Sequence, residues 1–174
     1  IRDRAGPASA IVFASDHPVS HLSVSAYPRE VTPMMIINLA MGGAAASVLA
    51  RLNEIPLHIV DVGAERYPVP DTGPGIYWNR VDVGGTAGDL VNSDAMDSTA
   101  LAGALEAGAD TIDSIDANTR IVIFGEMGIG NTTPASAISA RLLGLSAKDT
   151  VGPGTGLTGN ALNDKRAKVQ KALD

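Results

Sequence analysis

The sequence predicts an α/β protein: a Rossmann-like, three-layer parallel sheet with flanking helices. Three observations lead there. The runs 10–14, 57–62 and 120–124 are short and almost continuously apolar, as strands buried on both faces are. Stretches with helical spacing separate them, which is the βα alternation of a parallel sheet. Each run also ends in polar or glycine-rich chain, where such sheets bind their ligands.

Taken in order, Ala10-Ile11-Val12-Phe13-Ala14 is the first strand, followed by Ser15-Asp16-His17 and a polar loop to about Pro33. Residues 34–52 read as one helix, with a middle of Gly42, Gly43 and alanines small enough for another backbone to pack closely. Residues 57–62 form the second strand and end in Asp61-Val62-Gly63. Residues 64–97 carry Pro68, Pro70, Gly73, Pro74, Gly75, Gly84, Gly85 and Gly88 and read as a long irregular excursion, usually a functional or covering element. Ser98 or Thr99 can cap a helix over about 99–109. The third strand, 120–124, leads into a glycine-rich turn and a helix over 133–144. A second glycine-rich turn, 152–156, precedes a last helix over about 160–173. The clusters at 15–17, 61–63 and 125–130 then share one rim of the sheet. No internal repeat or linker divides the chain, so 1–174 reads as a single α/β nucleotide-binding core.

The turn Gly125-Glu126-Met127-Gly128-Ile129-Gly130-Asn131-Thr132-Thr133 carries the most chemistry. Glycines admit a ligand close to backbone N–H groups, and the dipole of the following helix favours an anion. Glu126 is a poor phosphate ligand, so the pattern points to a phosphorylated ligand with a base or hydrogen-bonding carboxylate beside it. Gly125 and Gly130 have the spacing of the Walker phosphate loop, and Thr132 falls in place. Asn131, however, stands where that loop needs lysine, which argues against an ATPase or GTPase. A structural turn without ligand remains open on these residues alone.

Composition narrows the classes. Hydrophobic residues make up 45% of 174, enough for one core. The net charge of −6 and the lack of a basic cluster argue against nucleic acid. With no cysteine there is no disulfide, thiol catalysis or cysteine-based zinc site. Asp16 and His17 are adjacent and too few to hold a metal. No apolar stretch reaches the roughly 20 residues of a membrane span, and no signal-peptide pattern occurs, so a soluble cytoplasmic setting is expected.

Several segments together resemble one family. They are Val12-Phe13-Ala14-Ser15-Asp16-His17, Val24-Ser25-Ala26-Tyr27-Pro28-Arg29-Glu30-Val31-Thr32, Gly42-Gly43-Ala44-Ala45, Val60-Asp61-Val62-Gly63, the run Phe124 to Thr133, and Val151-Gly152-Pro153-Gly154-Thr155-Gly156-Leu157 followed by Lys165. In this order they resemble the nicotinate-nucleotide–dimethylbenzimidazole phosphoribosyltransferase family, which activates the lower ligand of cobalamin. The resemblance implies transfer of ribose 5-phosphate from nicotinate mononucleotide to 5,6-dimethylbenzimidazole, giving α-ribazole 5′-phosphate and nicotinate. That chemistry is mainly positioning plus a carboxylate general base, and it requires no metal or cofactor. It also implies a homodimer with small-molecule partners only.

The resemblance assigns roles. Gly128, Gly130, Asn131, Thr132 and Lys165 would meet the phosphate or ribose. Glu126 would lie beside the reacting centre, while Ser25, Tyr27 and Met34 would face the aromatic base. Read without the family, Lys165 is one of several helix-surface lysines, Glu126 a cap for nearby N–H groups, and Tyr27 ordinary loop packing. Two departures touch the base side. Pro18 stands where the family usually has glycine after its D-H pair, and Met34 replaces the family's base-holding glutamine. The family's general-base glutamate lies in a C-terminal half beyond Asp174. The chain is therefore expected to be the central part of a longer family-type protein. A catalytically silent nucleotide-binding module or partner protein on the same fold is the alternative.

Overall fold

The computed structural model describes residues 6–68 and 70–174. Four strands form one parallel sheet: β1 (Ala8–Ala14), β2 (Leu57–Asp61), β3 (Ile76–Arg80) and β4 (Ile121–Met127), in the order β3-β2-β1-β4. The register pairs Ala10 with Leu57, Ala8 with Ile121 and Leu57 with Ile76. The chain therefore winds one way from β1 to β3 and the other way to β4. The crevice between the carboxyl ends of β1 and β4 is the topological switch point where such sheets bind ligands.

The layered α/β expectation holds. On one face, Ala14, Leu57, Ile59 and Ile76 pack against Ile36, Leu39, Ala40, Ala44 and Ala50. The last five come from α1 (Val31–Ala40), α2 (Ala45–Leu52) and the bend between them. On the other face, α3 (Ser98–Ser114) buries Ala107 and Thr111 toward the sheet, over a cleft of about 660 Å³ lined by Ser9, His58, Tyr77 and Asn79. A second cluster, Ala137, Ala147, Val151 and Val169, joins α4 (Thr132–Leu143), α5 (Ala147–Thr150) and α6 (Gly159–Leu173).

Several local expectations are corrected. The helix expected over 34–52 is two helices. Gly42 takes φ +86°, and the Ser47 hydroxyl donates to the Leu39 carbonyl at 2.7 Å, holding the bend. The first of them starts at Val31 because Pro33 lies in its first turn, where a missing N–H costs nothing. The excursion 64–97 contains β3, whose Asn79 and Arg80 disguise it as loop. The helix expected over 99–109 runs to Ser114, and its cap is Asp97, which accepts the Ala100 amide at 2.8 Å, not Ser98 or Thr99. Finally, β4 continues to Met127, pairing with Ala14, so Gly125 and Glu126 belong to the strand and the turn begins at Gly128. The helix after it starts at Thr132, with Asn131 as its cap.

Segment Val31–Leu52 has the length and hydropathy (1.6) of a membrane span, against the expectation that no stretch would. It bends at Gly42, and Ile36, Leu39, Ala40 and Ala50 bury against the sheet.

Candidate functional site

The site is built where β1 and β4 end. The Ser15 amide donates to the Met127 carbonyl at 3.1 Å, which holds the two strand ends together. Gly128 follows, so close that a Cβ would collide with the Ser15 carbonyl oxygen and lie 2.9 Å from His17 Cδ2. Only glycine fits there. From this pinch the chain turns into α4, and Thr32 of α1 braces the turn by accepting the Ile129 amide at 3.0 Å.

The expected anion donors are partly spent inside the protein. The amides of Ile129, Asn131, Thr132 and Thr133 are bonded to Thr32 Oγ1, Gly128 O, Asn131 Oδ1 and Gly130 O. A different donor stands beside them. Lys165 is 0% exposed, and its Nζ donates to Thr132 Oγ1 at 2.6 Å. No carboxylate reaches it among the ion pairs of the described residues. Burial pushes its pKa down. Reading it as a helix-surface lysine is therefore overturned. The second glycine turn closes over this ammonium: a Cβ on Gly154, at φ +55°, would lie 3.0 Å from both Lys165 Nζ and Thr132 Oγ1. Thr133 Oγ1, fully buried, has no partner among the described residues.

Glu126 lies across the turn. Asn131 Nδ2 donates to Oε1 at 2.7 Å and Oε2 at 2.6 Å, while Asn131 Oδ1 caps α4. The Glu126 carboxylate is thus held by a side-chain amide, and no bond to a backbone N–H among the described residues supports the capping reading. His17 has its pKa lowered by burial, although Glu126 and Asp16 pull the other way. Asp16 accepts the Glu65 amide at 2.8 Å through Oδ2 and has a buried Oδ1 without a partner among the described residues.

On the base side, Ser25 Oγ lies 2.9 Å from Thr155 Oγ1 and accepts the Tyr27 amide at 3.2 Å. Tyr27 and Met34 are 56% and 65% exposed, so neither is enclosed. Pro18 is accommodated at the start of a 3₁₀ turn, Pro18–Leu22. The structure thus joins Gly128, Gly130, Asn131, Thr132, Glu126 and Lys165, and connects Ser25 through Thr155. It leaves Tyr27 and Met34 on an open surface.

A further cluster escapes sequence reasoning. Asp61, 0% exposed at the end of β2, accepts Gly63 N at 3.1 Å, Ala64 N at 2.8 Å, Tyr67 OH at 2.8 Å and Arg80 Nε at 2.7 Å. Trp78 Nε1 donates to Tyr67 OH at 3.0 Å, and the Arg80 guanidinium stacks 4.2 Å from the Tyr67 ring. Burial and the Asp61 bond push the Tyr67 hydroxyl up to about 12. Asp61 is visible as a strand-end carboxylate, but its partners sit in β3 and the excursion, so no local pattern joins them. No group of three or more His, Asp or Glu able to hold a metal occurs among the described residues.

Residues 2–174 match a family model described as phosphoribosyltransferase. The chain belongs to this phosphoribosyltransferase family. Its curated relatives include nicotinate-nucleotide–dimethylbenzimidazole phosphoribosyltransferases of Pseudomonas fluorescens strain Pf-5, 42% identical over 93% of this chain and 45% of the relative, and of Bradyrhizobium sp. strain BTAi1, 42% identical over 95% and 46%. Among solved structures, CobT from Thermus thermophilus superposes with a TM-score of 0.84 at 38% identity, covering 97% of this chain and 50% of that one. The chain spans about half the length of the curated relatives it matches. The family resemblance read from the sequence therefore holds along almost the whole chain, and the chain shares its fold with the matched half of that CobT structure.

Proposed function

We propose that this chain is the nucleotide-binding half of a phosphoribosyltransferase that moves ribose 5-phosphate from nicotinate mononucleotide to 5,6-dimethylbenzimidazole. The observation that carries this reading is Lys165: a buried ammonium whose one partner among the described residues is a neutral hydroxyl, at the start of α4 and under a glycine turn. A buried cation without a counter-charge is costly unless a ligand supplies one. A phosphate does so, with Thr132 and Gly130 beside it. Asn131 and Glu126 face the ribose. In the transfer, a benzimidazole ring nitrogen attacks C1′ with its lone pair. The C1′–N bond to nicotinate breaks, its electrons neutralising the pyridinium, and the benzimidazole N–H proton passes to a carboxylate base. Glu126 holds the reacting centre, and the family's general-base glutamate belongs to the half of the relatives that this chain does not cover. Ser25, Tyr27 and Met34 line the base side, and Met34 and Pro18 shape which base is accepted. Assembly as a homodimer in the cytoplasm, without metal or cofactor, completes the reading.

The test is incubation with nicotinate mononucleotide and dimethylbenzimidazole, followed by chromatography for α-ribazole 5′-phosphate. Nucleotide binding that survives Lys165→Met unchanged would remove the phosphate assignment. The half-length match favours one second reading, a nucleotide-binding module that is silent alone; saturable nucleotide binding without product is its signature.

A further inference from the structure

The base-side loop and the buried ammonium meet at one threonine. Thr155 Oγ1 accepts the Ala26 amide at 2.9 Å and lies 2.9 Å from Ser25 Oγ. Its neighbour Gly154 passes over the ammonium so closely that an added Cβ would lie 3.0 Å from Lys165 Nζ and Thr132 Oγ1. The turn carrying both folds back on itself, with the Pro153 carbonyl accepting the Gly156 amide at 3.1 Å and the Leu157 amide at 2.9 Å. The other end of the loop is tied elsewhere. Arg29 Nη2 lies 2.9 Å from Glu65 Oε2 and 3.6 Å from Asp16 Oδ2, and its Nη1 lies 2.9 Å from His21 Nε2. Between these two anchors Ala26, Tyr27 and Pro28 are exposed. The middle of the loop therefore has Thr155 as its tether to the phosphate side.

We propose that Thr155 is a positioning residue that couples the two substrate sides: a phosphate seated on Lys165 fixes the Gly154 turn, and Thr155 passes that order to the Ser25–Tyr27 loop. The coupling rests on the phosphate reading of Lys165 given above. A transfer between two ring substrates gains from such a link, because the second ring is received by a loop already ordered by the first substrate.

The experiment follows backbone amides of the chain by NMR, with inorganic phosphate as the probe. In the unsubstituted chain, phosphate shifts the Thr132 and Gly154 resonances and slows exchange of the Ala26 amide about threefold to tenfold, the effect of firming up one hydrogen bond. Thr155→Val keeps the shifts at Thr132 and Gly154 and loses the slowing; Thr155→Ser restores it. Shifts at Thr132 with no slowing at Ala26 in the unsubstituted chain overturn the coupling, and so does equal slowing in Thr155→Val. If phosphate shifts neither Thr132 nor Gly154, the phosphate reading itself fails and the coupling falls with it.

Discussion

Lys165 is held at a cost to the fold. Its ammonium is fully buried, with a hydroxyl as its hydrogen-bond partner, and burial lowers its pKa. Below the lowered folded value both folded and unfolded chains carry the proton, so the desolvation penalty is present there. It is relieved only as pH rises through the lowered folded value toward the ordinary lysine range. Lys165→Met is expected to equal or exceed the parent in urea stability at pH 7 while losing nucleotide affinity, and the stability gap should narrow in alkali. His17 acts with the same sign at the acid end. Its folded pKa is lowered by burial, so the unfolded chain takes up the proton first and stability falls as pH drops through about 6.5. His17→Gln should flatten that acid limb in denaturant titrations run from pH 7 to 5. Asp61 behaves differently, because it is fully paired. Asp61→Asn strips the charge from a buried pair and should cost about 3 kcal/mol in urea unfolding.

At the scale of elements, the decisive packing is backbone on backbone. Gly128→Ala drives a methyl into the Ser15 carbonyl, an atom that cannot rotate away. The expected cost is about 1–3 kcal/mol, as for overpacking, together with loss of nucleotide binding, both measurable on one purified variant. Such contacts also mark the limit of what local sequence conveys. The strands β1, β2 and β4 are legible because each is a continuous apolar run. β3 is not, since Asn79 and Arg80 break the pattern and Arg80 is held there by Asp61, nineteen residues earlier. The single helix expected over 34–52 fails because its apolar spacing carries no sign of the left-handed Gly42. Glu126 reads as a turn residue because glycine at 125 looks like loop. Pairing with β1 overrides that local preference. In the site, Gly128, Asn131 and Thr132 are readable from spacing and Lys165 from family likeness. The bond from Thr155 to Ala26, spanning 129 residues, has no local signal at all.

At the scale of the molecule, the chain spans about half the length of its relatives and its sheet ends in two edge strands, β3 and β4. β4 has no outer neighbour among the described residues, and Ile121, Ile123 and Phe124 are 37%, 47% and 64% exposed. Exposed apolar strand edges recruit further strands. Ile123→Lys should therefore reduce concentration-dependent association in sedimentation velocity while leaving nucleotide affinity unchanged. The strand order adds a geometric rule. The sheet ends in two unlike borders, β3 on one side and β4 on the other. Two copies meeting β4 to β4 must run antiparallel about a two-fold axis, and such a contact closes after two. A β4 border laid against a β3 border keeps all strands parallel and leaves a fresh border at each end, so it goes on growing unless the rotation between copies closes it into a ring. Edge-to-edge contact through this sheet would thus stop at a pair or go on growing according to which border it uses.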